Sequence, residues 1–277
     1  MSTTSQRPAP TPAAVVWDPS LLRYRFSAEH PMAPLRLDLT HRLVEAFGLL
    51  DAPHVSIIEP PVATDAQLAL VHDPDYIAAV RRASEAASDE DAPFGLGTED
   101  CPVFPDLHEA SARIAGGTLA AAEAVWSGQV RRAVNFAGGM HHAARAKASG
   151  FCIYNDCALA IQRLLDLGAE RVVYLDVDAH HGDGTQAIFY DDPRVMTISV
   201  HETGISLFPG TGFANEIGGP DAQGTAVNVA VPPRTGDAGF LRAVHAVVPQ
   251  LLQGFDPDVI VSQHGCDGHH ADPLADL

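Results

Sequence analysis

The run from Tyr174 to Gly184, Tyr-Leu-Asp-Val-Asp-Ala-His-His-Gly-Asp-Gly, constrains the fold more than any other part of the chain. It starts as an apolar strand, Arg171 to Val177, and passes into a polar loop. Side chains alternate along a strand, so Asp176, Asp178 and His180 are expected on one face. Three such groups on an apolar strand are costly to bury unpaired. A cation removes that cost. Asp oxygens and His nitrogens are ordinary zinc ligands, and a catalytic zinc keeps three protein ligands and one open position.

Two other segments supply complementary groups. Gly138-Gly139-Met140-His141-His142 places adjacent histidines after a glycine pair, as in a tight loop where backbone approaches a ligand. Histidine is the usual acid or base near neutral pH, although a His–His pair alone is equally an ordinary satisfied pair. Gln263-His264-Gly265-Cys266-Asp267 follows the apolar strand Val259-Ile260-Val261. Asp267 therefore stands beyond a strand's carboxyl end, where open α/β sheets place ligands. It is able to complete an Asp, His, Asp zinc set with Asp178 and His180.

The rest of the chain reads as α/β. Strands are expected at Val15–Trp17, Ala133–Phe136, Arg171–Val177, Val195–Val200 and Asp258–Ser262. Helices are expected at Leu35–Leu50, Ala110–Trp126, Asp156–Leu167, Gly184–Tyr190 and Ala238–Gln253. The first carries apolar residues at helical spacing: Leu35, Leu39, Leu43, Ala46 and Leu50. Such alternation implies a parallel sheet covered by helices on both faces. The 277 residues, 46% hydrophobic, suffice for one large domain, expected over residues 14–277. Residues 1–13, rich in Thr, Pro and Ala, are expected to form a disordered tail without signal-peptide features.

Cys101, Cys152, Cys157 and Cys266 form no CxxC pair and suit reduced cytoplasmic thiols, with Cys152 and Cys266 as small packing residues. No apolar run reaches the length of a membrane span. The net charge of −18 argues against nucleic-acid binding and suits basic substrates. Glu85, Asp89, Glu90, Asp91, Glu99 and Asp100 read as a solvated acidic loop before Pro102.

Many ordered motifs together carry a family resemblance. They are His30-Pro31-Met32 with Arg36, Asp100-Cys101-Pro102, Gly138 to Ala143, Ser149-Gly150-Phe151-Cys152, Asn155-Asp156, Asp176 to Gly184, Ser199-Val200-His201, Phe208 to Gly212 and Gly265-Cys266-Asp267. The chain resembles the zinc-dependent histone deacetylase family, close to its bacterial acetoin-utilisation deacetylases. The resemblance implies a three-layer arginase/deacetylase-like α/β fold with a central parallel sheet. It implies removal of acetyl groups from lysine side chains of proteins by metal-activated water. Asp178, His180 and Asp267 would bind one zinc ion. His141 and His142 would be the acid/base pair, oriented by Asp176 and Asp183. Phe151 and Phe208 would wall a narrow tube, Gly150 would let the acyl-lysine chain pass, and Asp100 would hold the substrate backbone. Asp176, Asp178, His180, Ser199 and Val200 would surround a structural potassium ion. Arg36 would lie by an internal channel below the zinc.

The family also places a tyrosine, the donor to the oxyanion, in a Gly-rich loop after the third metal ligand. The sequence ends at Leu277 before any such loop, and no Tyr follows Tyr190. The expectation is a fragment or a truncated chain lacking the last strands, with impaired hydrolysis, since one oxyanion donor is worth about 2.7–4 kcal/mol. Three alternatives stay open: a deacetylase of small acetylated amines such as acetylpolyamines, a zinc- or acyl-lysine-binding module, and a two-manganese ureohydrolase. The last shares Asp178-Ala179-His180 but needs a bridging Asp where Gly182 stands.

Overall fold

The computed structural model describes residues 11–27, 30–86 and 88–277. Most of the expected disordered tail, residues 1–10, lies outside the described residues. The chain runs β1 (Ala13–Val16), α1 (Leu35–Ala46), β2 (Val55–Ile58), α2 (Asp65–Leu68), α3 (Pro74–Glu85), α4 (Leu107–Trp126), β3 (Arg132–Asn135), α5 (Asp156–Asp166), β4 (Val172–Asp176), α6 (Asp183–Ile188), β5 (Val195–Glu202), β6 (Ala226–Val231), α7 (Gly236–Phe255) and β7 (Val259–Gln263). β1 begins at Ala13, whose N–H donates to the His54 carbonyl at 2.8 Å.

Every strand pairing is parallel. The strands fall into two sheets, ordered β2-β1-β3 and β6-β5-β4-β7. β4 shows why apolar residues run unbroken in such a strand. Val172 and Tyr174 join the large core with α4 and α5, while Val173 and Leu175 pack with Val248 and Leu252 of α7. Both faces are covered, as parallel sheets require.

The helix expected from Leu35 forms and ends at Ala46; its apolar stripe is exposed, with Leu35, Leu39 and Leu43 at 60%, 53% and 57%. Helical spacing identifies a shared face; no described element covers this one. One expectation needs correction: in the acidic stretch read as solvated, Asp91 is not. It is buried, and Arg82 donates to it at 2.8 Å.

A buried histidine helps fix the core beside α5. His72 Nε2 accepts the Asn155 N–H at 3.0 Å and its Nδ1 faces the Arg145 carbonyl at 3.2 Å. Burial pushes its pKa from 6.5 to about 4, because a protonated ring there is desolvated. The unfolded chain therefore takes up this proton first as pH falls. The stability from neutral His72 is whole above pH 6.5 and is lost as pH drops toward 4, by roughly 3 kcal/mol. His72→Gln should flatten this part of the curve of urea midpoint against pH. Equal slopes in both proteins between pH 6.5 and 4 would remove His72 as the cause.

Candidate active site

The site lies where the carboxyl ends of β4 and β7 meet the loop after β3. β4 ends at Asp176, and the chain then turns instead of continuing as a strand. Asp176 Oδ1 accepts the Asp178 N–H at 3.1 Å, and Asp178 Oδ1 accepts the His180 N–H at 2.8 Å. Strand alternation thus fails beyond Asp176. Short side-chain-to-backbone bonds of this kind compete with the ladder.

The turns separate the roles of neighbouring residues. Asp176 is fully buried; its Oδ2 lies 2.7 Å from His141 Nδ1 and accepts the Tyr174 hydroxyl at 2.8 Å. Asp178 and His180 instead meet Asp267, which β7 delivers from its own carboxyl end. Ligand atoms of the three lie within 4.8 Å of one another. Asp178 Oδ1 is 3.1 Å and Asp267 Oδ2 2.7 Å from His180 Nδ1. Their far oxygens are held: Gln263 Nε2 donates to Asp178 Oδ2 at 2.7 Å, and the Ala179 N–H to Asp267 Oδ1 at 3.0 Å.

This donor set fits a divalent cation. Burial opposes a charge on His180, yet its bonds to Asp178 and Asp267 push its pKa up to about 10. The pocket therefore favours positive charge where the three ligands converge. Two carboxylates and one imidazole are an ordinary zinc set. Gly182 is closed to a larger residue, because a Cβ there would collide with Asp176 Oδ2. An Asp at position 182 would therefore have to displace the Asp176 carboxylate.

The histidine pair abuts this set. His142 Nδ1 lies 2.7 Å from Asp183 Oδ1, matching the His141–Asp176 contact. An ionised carboxylate only accepts, so each ring donates from Nδ1 and turns Nε2 inward. The two Nε2 atoms are 3.1 Å apart, and His141 Nε2 is 3.9 Å from Asp178 Oδ1. Burial works against charge on His141, but Asp176 and Asp178 overcome it and push its pKa to about 9. Burial and the His141 charge push His142 down.

Aromatic residues shape the approach. The Phe208 ring packs edge-on against His142 with centroids 5.0 Å apart, and Phe151 and Phe208 both line the cavity that reaches the histidines. Phe151 is anchored through its carbonyl, which accepts the Tyr24 hydroxyl at 2.5 Å. Gly150 sits at φ +55° with a face so close to the His142 ring that any Cβ would strike it. Asp100 Oδ2 accepts the Gly150 N–H at 2.7 Å and so fixes the loop carrying Phe151.

The remaining expected residues are also placed. Ser199 pairs in register with Asp176, and its hydroxyl lies 2.7 Å from His201 Nδ1; Val200 is buried beside it. Arg36 lines the cavity from α1. Cys266, expected to be a packing residue, is exposed, whereas Cys152 is buried. Gln263 received no role from the sequence, although a buried amide closing an apolar strand was its available signal.

The chain is similar to known proteins. Residues 30–277 match the histone deacetylase domain. The acetoin utilization protein AcuC of Bacillus subtilis (strain 168) is 46% identical over 264 residues, spanning 95% of this chain and 68% of that protein. The chain belongs to the histone deacetylase family. A second histone deacetylase family relative, AcuC of Staphylococcus aureus (strain MSSA476), is 43% identical over 266 residues, with the same coverage. The crystal structure of a histone deacetylase homolog from Aquifex aeolicus has a TM-score of 0.87 at 32% identity, covering 96% of this chain and 72% of that one. A homolog complexed with SAHA gives the same figures. As a histone deacetylase family member the chain is a deacetylase-type hydrolase, and zinc is the metal of that family. Among the described residues, no helix is long and apolar enough to cross a membrane.

Proposed function

We propose that this chain cleaves the acetyl amide of acetylated lysine side chains on proteins, with one zinc ion held by Asp178, His180 and Asp267. The observation that carries the reading is the convergence of that ligand set and the His141–His142 pair in one cavity walled by Phe151 and Phe208. A zinc ion supplies a lowered water pKa and a polarised carbonyl. The chain's own groups do the rest. Asp176 and Asp183 hold the two rings by Nδ1, leaving the Nε2 atoms to move protons. One accepts a proton from the attacking water; one delivers a proton to the departing lysine amine as the amide C–N bond breaks, giving acetate and free lysine. Phe151 and Phe208 flank the apolar lysine stem, Gly150 leaves the passage open, and Asp100 steadies both the Phe151 loop and the substrate backbone at the rim.

A structural potassium ion near Asp176, Asp178, His180, Ser199 and Val200 belongs to the same reading, as do a single domain over 14–277 and a cytoplasmic setting, which suits four free thiols. The acidic balance, 35 Asp and Glu against 17 Lys and Arg, favours a cationic protein substrate over nucleic acid. The test is acetate release from an acetyl-lysine peptide and from an acetylpolyamine, before and after chelation. The expected result is preference for the peptide, loss of turnover on chelation and recovery with one equivalent of zinc. Preference for the polyamine would move the substrate to small amines. Recovery only with two manganese ions would overturn the one-zinc reading.

A further inference from the structure

Asp156 is a buried acid that the chemistry above does not use. It opens α5, is 1% exposed, and faces the loop of the histidine pair from below. Its Oδ1 accepts the Met140 N–H at 2.8 Å and the Gly139 N–H at 3.1 Å. Its Oδ2 accepts the Thr118 hydroxyl at 2.7 Å. Thr118 Oγ1 in turn accepts Asn135 Nδ2 at 2.8 Å, and Asn135 Oδ1 accepts the Ala137 N–H at 3.1 Å. The carboxylate is thus tied to α4, to the end of β3 and to the two residues preceding His141. Burial raises its pKa, and the opposing influences are hydrogen bonds, not a cation.

The neighbouring residue grips the other side of the pair. Asn155 Nδ2 donates to the His141 carbonyl at 3.3 Å and the Ala143 carbonyl at 2.9 Å, while its Oδ1 caps α5 through the Ala158 N–H. Gly138 completes the fit, since a Cβ there would collide with Asp156 Oδ2.

We propose that Asp156 is a positioning residue for the reaction: through the Gly139 and Met140 amides it sets the height and angle at which His141 and His142 face the metal ligands. The inference rests on the reading of that pair as the proton-moving groups. All the partners of Asp156 are donors, and only a carboxylate offers acceptors at every lone pair. An amide in its place turns an NH2 group toward a donor. The loop then shifts, and a displacement of about 1 Å at reacting groups costs on the order of 10²-fold in rate.

The experiment compares Asp156→Asn, Gly138→Ala and their combination with the parent chain. Asp156→Asn is expected to lower kcat by about 100-fold with KM within about twofold and one zinc retained. It is also expected to speed hydrogen exchange at the Met140 amide and to move the ring-nitrogen NMR signals of His141 and His142. Gly138→Ala strains the same contact from the other side and gives the same signature if Asp156→Asn fails to fold; the double variant is no slower than the worse single one. Parental kcat, exchange and ring signals in Asp156→Asn would overturn the proposal, as would additive losses in the double variant or a loss of zinc together with kcat. His142→Ala separates the two readings. If it keeps full kcat, the pair is not the proton-moving group; shifted ring signals in Asp156→Asn then still establish that Asp156 sets the loop.

Discussion

Asp178→Ala and Asp267→Ala are each expected to leave the purified chain without stoichiometric zinc. Each removes one of three ligands, so the affinity should fall by more than the roughly 10–100-fold that outer partners of a metal site carry. The two variants differ in their side effects. Asp178→Ala takes the 2.7 Å acceptor from one N–H of the buried Gln263 amide, whose Nε2 keeps only the Gly139 carbonyl at 3.4 Å. Asp267→Ala strands the Ala179 N–H and cuts the link between the β7 loop and the turn after β4. An orphaned buried donor costs about 1–3 kcal/mol, so both metal-free variants should also melt earlier than the metal-free parent. Metal analysis by mass spectrometry checks the first point and calorimetry the second. One equivalent of zinc in both variants would remove this trio as the metal site.

The histidine pair should separate binding from turnover. His141→Ala and His142→Ala are expected to keep zinc and to lose hydrolysis by about 10²- to 10⁴-fold, the usual worth of a positioned acid or base. Asp183→Asn and Asp176→Asn should fall by about 10–100-fold. Asp176 should be the more severe, because its carboxylate also receives the Tyr174 hydroxyl and the Asp178 N–H, whereas the Asp183 side chain is 27% exposed. Turnover of an acetyl-lysine peptide and zinc content, measured on the same preparations, decide the matter. Zinc lost from His141→Ala would make His141 a ligand and break the division of labour.

How far these features were legible depends on the range of the force responsible. β4, β5 and β7 were readable because buried parallel strands are continuous apolar runs. The α1 period was readable too, but period reports only that a face is shared, not what meets it. α3 was overlooked despite Asp73-Pro74, a start signal with Pro at the first helical position. β6 was overlooked despite its alternation from Ala226 to Val231. At the site, the residue types pointed to metal and proton chemistry, and the roles followed from the resemblance. The pairing of His141 with Asp176, and of Asp267 with His180, joins residues 35 and 87 positions apart. No local rule encodes such pairs; the sheet order does. The turn at Asp178 was misread because strand alternation was carried past the point where Asp176 captures the backbone.

The site has two banks: the histidines hang from the loop after β3, and the metal ligands from the carboxyl ends of β4 and β7. His141 is tied across them twice, by its Nδ1, 2.7 Å from Asp176 Oδ2, and by its carbonyl, which accepts the Thr185 N–H at 3.0 Å. The bond that orients His141 is therefore also a ligament between the banks, so the spacing of proton donor from metal is tensioned by the same carboxylate that sets the ring's tautomer.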